Sequence, residues 1–270
     1  MNSVKNVTRT VFVAAVAVTT IVLAGPLASL APADFLLTGS DHLDVTSSHT
    51  TGILYNSSSV DILSGYIDSL DAWNSSTVDI IGGTVSRLNA WNSSTVDITG
   101  GQVNGGLILR DTSSVAISGG TINGYLSALG TSSVTITGGN FRDDHATYLV
   151  ASYSSTVNIS GGFVNVLLPN DTSRVTIFGG RVKQVTALGT SSITFCGYDF
   201  TCTEGMRLDG DKVLGTGELS GKWFDGTPWT TNVNVHDAGA TILAIPEPAT
   251  LSLLALGGLV LLRRRRAASS

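Results

Sequence analysis

A short phrase recurs along the middle of the chain and limits what this sequence can fold into. Each copy begins with valine or isoleucine, carries isoleucine or phenylalanine two residues later, and in most copies ends with a glycine pair. The copies begin at Val60, Val78, Val96, Val115, Val134, Val157, Val175 and Ile193. They follow one another at intervals of 18 to 23 residues. A period of this length is typical of solenoids, in which each repeat forms one coil of a stack.

Other apolar residues keep fixed distances from each copy. Large aliphatic residues stand eight positions before its first residue, at Leu70, Leu88, Leu107, Leu126, Leu149, Leu167 and Val185. Mostly small residues stand six positions before it, at Ala72, Ala90, Leu109, Ala128, Ala151, Pro169 and Ala187. A third apolar column comprises Ile67, Val85, Val103, Ile122, Phe141, Val164 and Val182. Residues two apart on a strand share one face, so these columns predict inward-facing strand positions, and no helical period of 3.6 fits them.

The sequence therefore predicts an all-β fold, a parallel β-helix of about eight coils of 18 to 23 residues that spans 60–196. Glycine pairs and Asn-Ser-Ser or Thr-Ser-Ser segments suit its corners. The lack of a hexapeptide repeat favours a right-handed coil. We expect residues 34–59 to form an N-terminal cap with an irregular first coil. Residues 197–244 are expected to form a small C-terminal β cap.

The first 33 residues have the pattern of a secretory signal peptide. Lys5 and Arg9 precede an apolar run at 11–24, and Ala31 and Ala33 provide a small-x-small cleavage site. An uncleaved anchor helix is the alternative. Either interpretation predicts export.

The last segment, 245–270, has three parts in a fixed order. Pro246, Glu247 and Pro248 precede an apolar stretch at 249–262, which is followed by Arg263, Arg264, Arg265 and Arg266. A bilayer core needs about 20 apolar residues, but a shorter helix can cross when flanking arginines snorkel. The segment predicts a C-terminal transmembrane helix whose arginines stay in the cytoplasm.

This order of parts resembles the PEP-CTERM sorting signal of Gram-negative bacteria, over about residues 245–266. The resemblance implies that an exosortase, a membrane cysteine peptidase or transpeptidase, recognises Pro246, Glu247 and Pro248 and removes the tail. It also implies transient contact with the inner membrane and delivery to the cell surface or to extracellular polysaccharide. An ordinary C-terminal anchor with a proline-rich stem is the alternative.

The charge of the chain argues against a nucleic-acid partner. Between residues 34 and 245 there are 9 basic and 19 acidic residues. Such a body lacks the clustered Lys and Arg that neutralise phosphates.

Two cysteines, Cys196 and Cys202, lie where the repeat ends. In an exported protein an even pair indicates a disulfide, and two separate thiols are the alternative. Without an adjacent histidine they fall short of a zinc site.

Two columns of outward residues are candidate binding surfaces. Asp61, Asp79 and Asp97 follow the first residue of successive repeats, and their mutual repulsion would be relieved by calcium. A solvated acidic face is the favoured interpretation. Tyr55, Trp73 and Trp91 stand five positions before the repeat and could bind sugar rings, unless the N-terminal segment covers them.

The longest repeat contains an insertion with Arg142, Asp143, Asp144 and His145. An acid, a base and an imidazole are compatible with sugar-cleaving chemistry, which uses paired carboxylates. Neighbouring coils supply few partners, so an ordinary surface loop is the favoured interpretation.

Together these patterns favour a non-enzymatic structural or carbohydrate-binding protein of the cell surface or extracellular matrix, with no cofactor. The alternative is a polysaccharide-active β-helix enzyme, either a lyase or a hydrolase.

Overall fold

The computed structural model describes residues 34–142 and 147–246. These residues form twenty-three β-strands and no helix. Within them, accordingly, no helix is long and apolar enough to cross a bilayer. The predicted signal peptide, the C-terminal membrane helix and its arginines lie outside the described residues.

The strands have the following bounds. The first twelve are β1 (Phe35–Leu37), β2 (His42–Val45), β3 (His49–Leu54), β4 (Ser59–Ile62), β5 (Tyr66–Ala72), β6 (Thr77–Ile80), β7 (Thr84–Ala90), β8 (Thr95–Ile98), β9 (Gln102–Leu109), β10 (Ser114–Ile117), β11 (Thr121–Ile122) and β12 (Tyr125–Ala128). The remainder are β13 (Ser133–Ile136), β14 (Asn140–Phe141), β15 (Tyr148–Ala151), β16 (Thr156–Pro169), β17 (Arg174–Ala187), β18 (Ser192–Cys202), β19 (Met206–Asp209), β20 (Lys212–Gly215), β21 (Gly217–Lys222), β22 (Pro228–Val235) and β23 (Thr241–Pro246).

The strands stack as a β-solenoid of about nine turns, which confirms the predicted architecture. The repeat valines form one parallel ladder, the valine ladder, in which Val60 pairs with Val78 and Val78 with Val96. A second parallel ladder, the leucine ladder, pairs Leu70 with Leu88. A third, shorter parallel ladder pairs Ile67 with Val85 at the N-terminal ends of β5 and β7. Rungs lie about 4.8 Å apart, so the rod is about 40 Å long.

The columns predicted to point inward are buried. In the leucine ladder, each leucine and alanine named above has at most 1% of its surface exposed, from Leu70 to Ala187. The same is true of the repeat valines, except that Val115 is 2% exposed. Pro169 and Val182 are also buried. Each buried aliphatic side chain contributes about 1.5–3 kcal/mol relative to exposure, and no single coil could bury its own face.

A column of serines is buried as well, in the corners that the sequence predicted for the Asn-Ser-Ser and Thr-Ser-Ser segments. The eight fully buried serines lie two positions before each repeat copy: Ser58, Ser76, Ser94, Ser113, Ser132, Ser155, Ser173 and Ser191. The hydroxyl of Ser58 donates to the carbonyl of Tyr55 at 2.9 Å, and that of Ser113 to the carbonyl of Arg110 at 2.7 Å. At these two positions the hydroxyl closes its own corner. Within the described residues no hydrogen-bond partner is found for the buried hydroxyls of Ser76, Ser94, Ser132, Ser155 and Ser191, so the property that the column shares is a side chain small enough to fit inside the turn.

The same corner explains the recurring asparagines. Asn56, Asn74 and Asn92 adopt φ values of 62°, 61° and 58°. This left-handed conformation is tolerated best by glycine and asparagine. The side-chain Nδ2 of Asn74 also donates a hydrogen bond to the Oδ1 of Asn56 at 3.3 Å, which connects adjacent coils.

Both ends of the rod are more regular than the sequence suggested. At the N-terminal end, β2 joins the valine ladder in register, with Leu43 opposite Val60. At the other end the chain leaves the stack after β18, makes antiparallel pairs through β19, β20 and β21, and then returns. Strand β22 extends the leucine ladder and β23 extends the valine ladder. The outer edges of these last rungs pair with β21 and β20, so the open edge of the stack is covered there.

Candidate functional site

The first candidate surface is a ladder of aspartates on the outside of the valine ladder. Asp61, Asp79 and Asp97 lie directly opposite one another in adjacent strands. The structure adds Asp44, which pairs with Asp61, as a fourth member. Sequence reasoning missed it because the first coil did not repeat the phrase. The Nε2 atom of His42 lies 3.0 Å from Asp44 Oδ1 and 3.9 Å from Asp61 Oδ2.

The aspartates perturb one another. Burial first, then the charges of Asp61 and Asp97, raise the pKa of Asp79 above its ordinary value, and His42 partly opposes this. Ligand atoms of His42, Asp44 and Asp61 lie within 4.8 Å of one another and are largely exposed. The geometry is compatible with the solvated acidic face that the sequence favours, and calcium at Asp61, Asp79 and Asp97 stays a prediction.

We expect Asp79→Asn to stabilise the protein at neutral pH. Each relieved like-charge pair should contribute about 0.5 kcal/mol after solvent screening. Because the folded-state pKa of Asp79 is raised, protonation stabilises the fold fully below the unfolded-state pKa, and this contribution is lost as pH rises through the folded-state pKa. The variant should therefore have a higher Tm than wild type at neutral pH, and the difference should disappear below about pH 4.

Asp209→Asn, which changes an exposed carboxylate of the antiparallel hairpin, is the matched control and should leave Tm unchanged. An equal or lower Tm for Asp79→Asn at neutral pH would contradict the repulsion argument. Calcium binding has a separate signature, since it would raise the wild-type Tm at millimolar calcium and the increase would be lost in Asp79→Asn.

The second candidate surface is the aromatic column of the first coils. The rings of Trp73 and Trp91 are parallel, with centroids 4.6 Å apart and planes 1° apart. Tyr55 stacks on Trp73 at 6.2 Å, and the Arg110 guanidinium carbon lies 4.5 Å from the centroid of the Trp91 ring. The sequence predicted this proximity but not its consequence. Since the tryptophan faces cover each other, mainly ring edges meet solvent, and sugar rings bind to faces.

The insertion and the cysteines add little to the site. Arg142 is exposed directly after β14, and Asp143, Asp144 and His145 lie outside the described residues. Cys196 and Cys202 are free, so the predicted disulfide is not formed. Both belong to β18, whose pairing with β21 shifts register between Tyr198 and Thr201. Burial raises the pKa of both thiols, which favours the unreactive protonated form.

The third candidate surface is a cleft that the sequence did not reveal, with a volume of about 840 Å³. It lies where the turn before β22 folds over the glycine corners of β16 and β17. Its lining comprises Ser160, Gly162, Phe178, Gly179, Gly180, Arg181, Lys183, Trp223, Phe224, Asp225, Thr227, Pro228, Trp229, Thr230 and Asn232.

A rigid aromatic cluster supports one wall of the cleft. Trp229 stacks between Phe195 and Trp223, at centroid distances of 5.1 and 4.7 Å. The Nε1 of Trp223 donates to the carbonyl of Gly180 at 2.9 Å, which fastens the turn to the rod. This hydrogen bond joins the two walls of the cleft.

The accessible side chains of the cleft combine apolar and charged groups. Phe178 is 42% exposed and Phe224 is 41% exposed. Arg181 and Lys183 are exposed cations on one side, and the Arg181 guanidinium carbon lies 5.4 Å from the centroid of the Phe163 ring. Asp225 accepts a 2.8 Å hydrogen bond from the amide of Thr227, and this bond lowers its pKa. The cleft thus offers ring surface, two cations and an ionised carboxylate.

The C-terminal segment decides how the chain is sorted. Residues 244–266 match the family described as the PEP-CTERM protein-sorting motif. The chain carries a PEP-CTERM sorting motif. The predicted recognition residues Pro246, Glu247 and Pro248 and the four arginines fall within the match. The PEP-CTERM motif implies an exported protein that is sorted through the membrane and processed by an exosortase.

The motif is joined directly to the folded body. In β23, Ile245 pairs with Cys196 and Pro246 pairs with Gly197, so the PEP-CTERM match begins inside the last rung of the valine ladder. Comparisons with curated proteins and with solved structures give no match.

Proposed function

We propose that this PEP-CTERM protein is a non-enzymatic structural or carbohydrate-binding rod of the cell surface or extracellular polysaccharide. In this proposal an exosortase frees it from a transient inner-membrane anchor. The observation that carries the proposal is a solenoid rod whose last rung runs directly into the PEP-CTERM sorting motif. A rigid body of this kind supports a scaffolding or adhesive role because every coil presents side chains at the same spacing.

One outward column supports contact with a hydrated polymer. Six consecutive rungs place a hydroxyl at the same position, in the order Ser59, Thr77, Thr95, Ser114, Ser133 and Thr156. Hydroxyl groups about 4.8 Å apart can hydrogen-bond to a polysaccharide at many points. Many weak contacts along one rigid body add up to strong retention.

Processing is tested with Glu247→Ala in a host that contains an exosortase. We expect wild type to lose the mass of its tail and to fractionate with the cell surface or matrix. The variant should keep the tail and stay with the inner membrane, because the central residue of the recognition triplet is lost. Glu218→Ala, an exposed glutamate of β21, is the control and should behave as wild type. Wild type that is processed but released into the medium would contradict the matrix role.

The non-enzymatic part of the proposal has its own test. The double variant Asp143→Asn, Asp144→Asn and wild type are incubated with acidic and neutral polysaccharides, and new reducing or unsaturated ends are measured. We expect no products from either protein. Products from wild type that vanish in the double variant would establish a lyase or hydrolase instead.

A further inference from the structure

We propose that the cleft between the glycine corners of β16 and β17 and the turn before β22 binds the carboxylated sugar residues of an acidic glycan. The inference rests on the proposed function in one respect, since it assumes that the rod meets extracellular glycans. It adds a defined site, a chemical class of ligand and a residue that selects for charge.

The aromatic part of the argument depends on which ring faces are available. The faces of Trp73 and Trp91 cover each other. Within the described parts of the chain, Phe178 and Phe224 have no stacking partner, each is about two fifths exposed, and both line the cleft. Apolar faces of sugar rings pack on such exposed aromatic rings, so the cleft is the better sugar platform.

The charged part of the argument concerns Arg181. Its planar guanidinium can hold a carboxylate with two parallel hydrogen bonds, which a neutral sugar cannot supply. The Phe163 ring beneath it restrains the side chain at the cleft wall. Lys183, two residues further along β17, adds a second positive charge to the same lining. The carboxylate of Asp225 can accept hydrogen bonds from sugar hydroxyl groups.

The distribution of charge along the rod is compatible with an anionic ligand, although the body as a whole is acidic. The aspartate ladder lies on β2, β4, β6 and β8, whereas Arg181 lies on β17. Four rungs separate Asp97, the nearest member of the ladder, from the coil of Arg181, or about 19 Å. This exceeds the Debye length of about 8 Å at physiological ionic strength, so the ladder does not offset the cations of the cleft.

The test measures binding to the full-length chain in detergent by titration calorimetry. The probes are tetramers of galacturonate, mannuronate and glucuronate, with the methyl ester of each tetramer as the uncharged counterpart. We expect at least one acidic tetramer to bind, and its methyl ester to bind at least about tenfold more weakly. Arg181→Gln should weaken binding of the acidic tetramer by about tenfold and leave the ester unaffected. Phe178→Ala should weaken both.

Arg174→Gln, on the same strand but outside the cleft, is the matched control, and unchanged Tm values verify that all variants fold. Three results would overturn the inference: no binding of any acidic tetramer, equal binding of acid and ester, or full binding by Arg181→Gln. The matrix fractionation described above separates the two proposals. A protein that stays in the matrix without binding these probes refutes only the cleft, and one that binds them but is not retained refutes only the matrix role.

Discussion

Leu126→Ala is expected to lower the free energy of unfolding by about 3–5 kcal/mol, the upper part of the range for a buried leucine. Leu126 has no exposed surface and lies between Leu107 and Leu149 in the middle of the leucine ladder. The stacked strands above and below are held by their own hydrogen bonds and cannot collapse into the space. The cavity therefore remains, and its cost adds to the lost burial of the side chain.

Because each coil contacts mainly its neighbours, the loss of stability should appear first in the coils next to Leu126 and only later along the whole rod. Hydrogen exchange should show reduced protection in β9, β12 and β15, and less change at the ends of the rod. Leu36→Ala is the matched control, since Leu36 is 61% exposed, and it should change Tm little. A Tm for Leu126→Ala equal to that of Leu36→Ala would contradict the continuous core.

We expect Gly124→Ala to lower the free energy of unfolding by about 3 kcal/mol or more, the upper end of what overpacking costs. A Cβ at Gly124 would overlap the carbonyl oxygen of Gly105 in the coil below. That oxygen belongs to backbone in the stack, so relief requires two coils to separate. Thermal unfolding of the purified variant measures the loss.

Gly210→Ala distinguishes steric contact from backbone strain. Gly210 has φ of +59°, but nothing lies within 4 Å of an added Cβ. Its substitution should therefore cost only about 1 kcal/mol, from the conformation alone. If the two alanine variants had the same stability, the close approach of adjacent coils at Gly124 would not matter for folding.

The inner columns could be predicted from the sequence because a solenoid converts repetition directly into contact. Once Val60 and Val78 are known to be equivalent, the residues at equal distances from them must also stack. The same argument could not find what happens where repetition stops. Trp229 and Val233 resemble no earlier repeat, and nothing in the sequence indicates that β22 returns to the leucine ladder beside Val185. The cleft depends on that return, so it was missed.

Two site predictions show a different limit. The sequence brought Trp73 and Trp91 together correctly, but only coordinates reveal that their rings are parallel and cover each other. For the cysteines, the even pair alone suggested a bond, whereas Cys196 and Cys202 are both free in β18. The repeat predicts which residues are neighbours and which face they share, but not how two neighbouring rings are oriented relative to each other.

The pairing of Pro246 with Gly197 has a consequence for how the molecule meets the bilayer. Only Glu247 and Pro248 separate this rung from the apolar stretch at 249–262. If the stretch spans the bilayer, as the sequence predicts, the terminal coil of the rod lies at the lipid headgroups before release, because the sequence leaves no longer spacer. The exosortase would then have to cut directly beside the folded body, or cut after β23 has detached from the stack. In the second case tail removal would depend on the stability of this single strand.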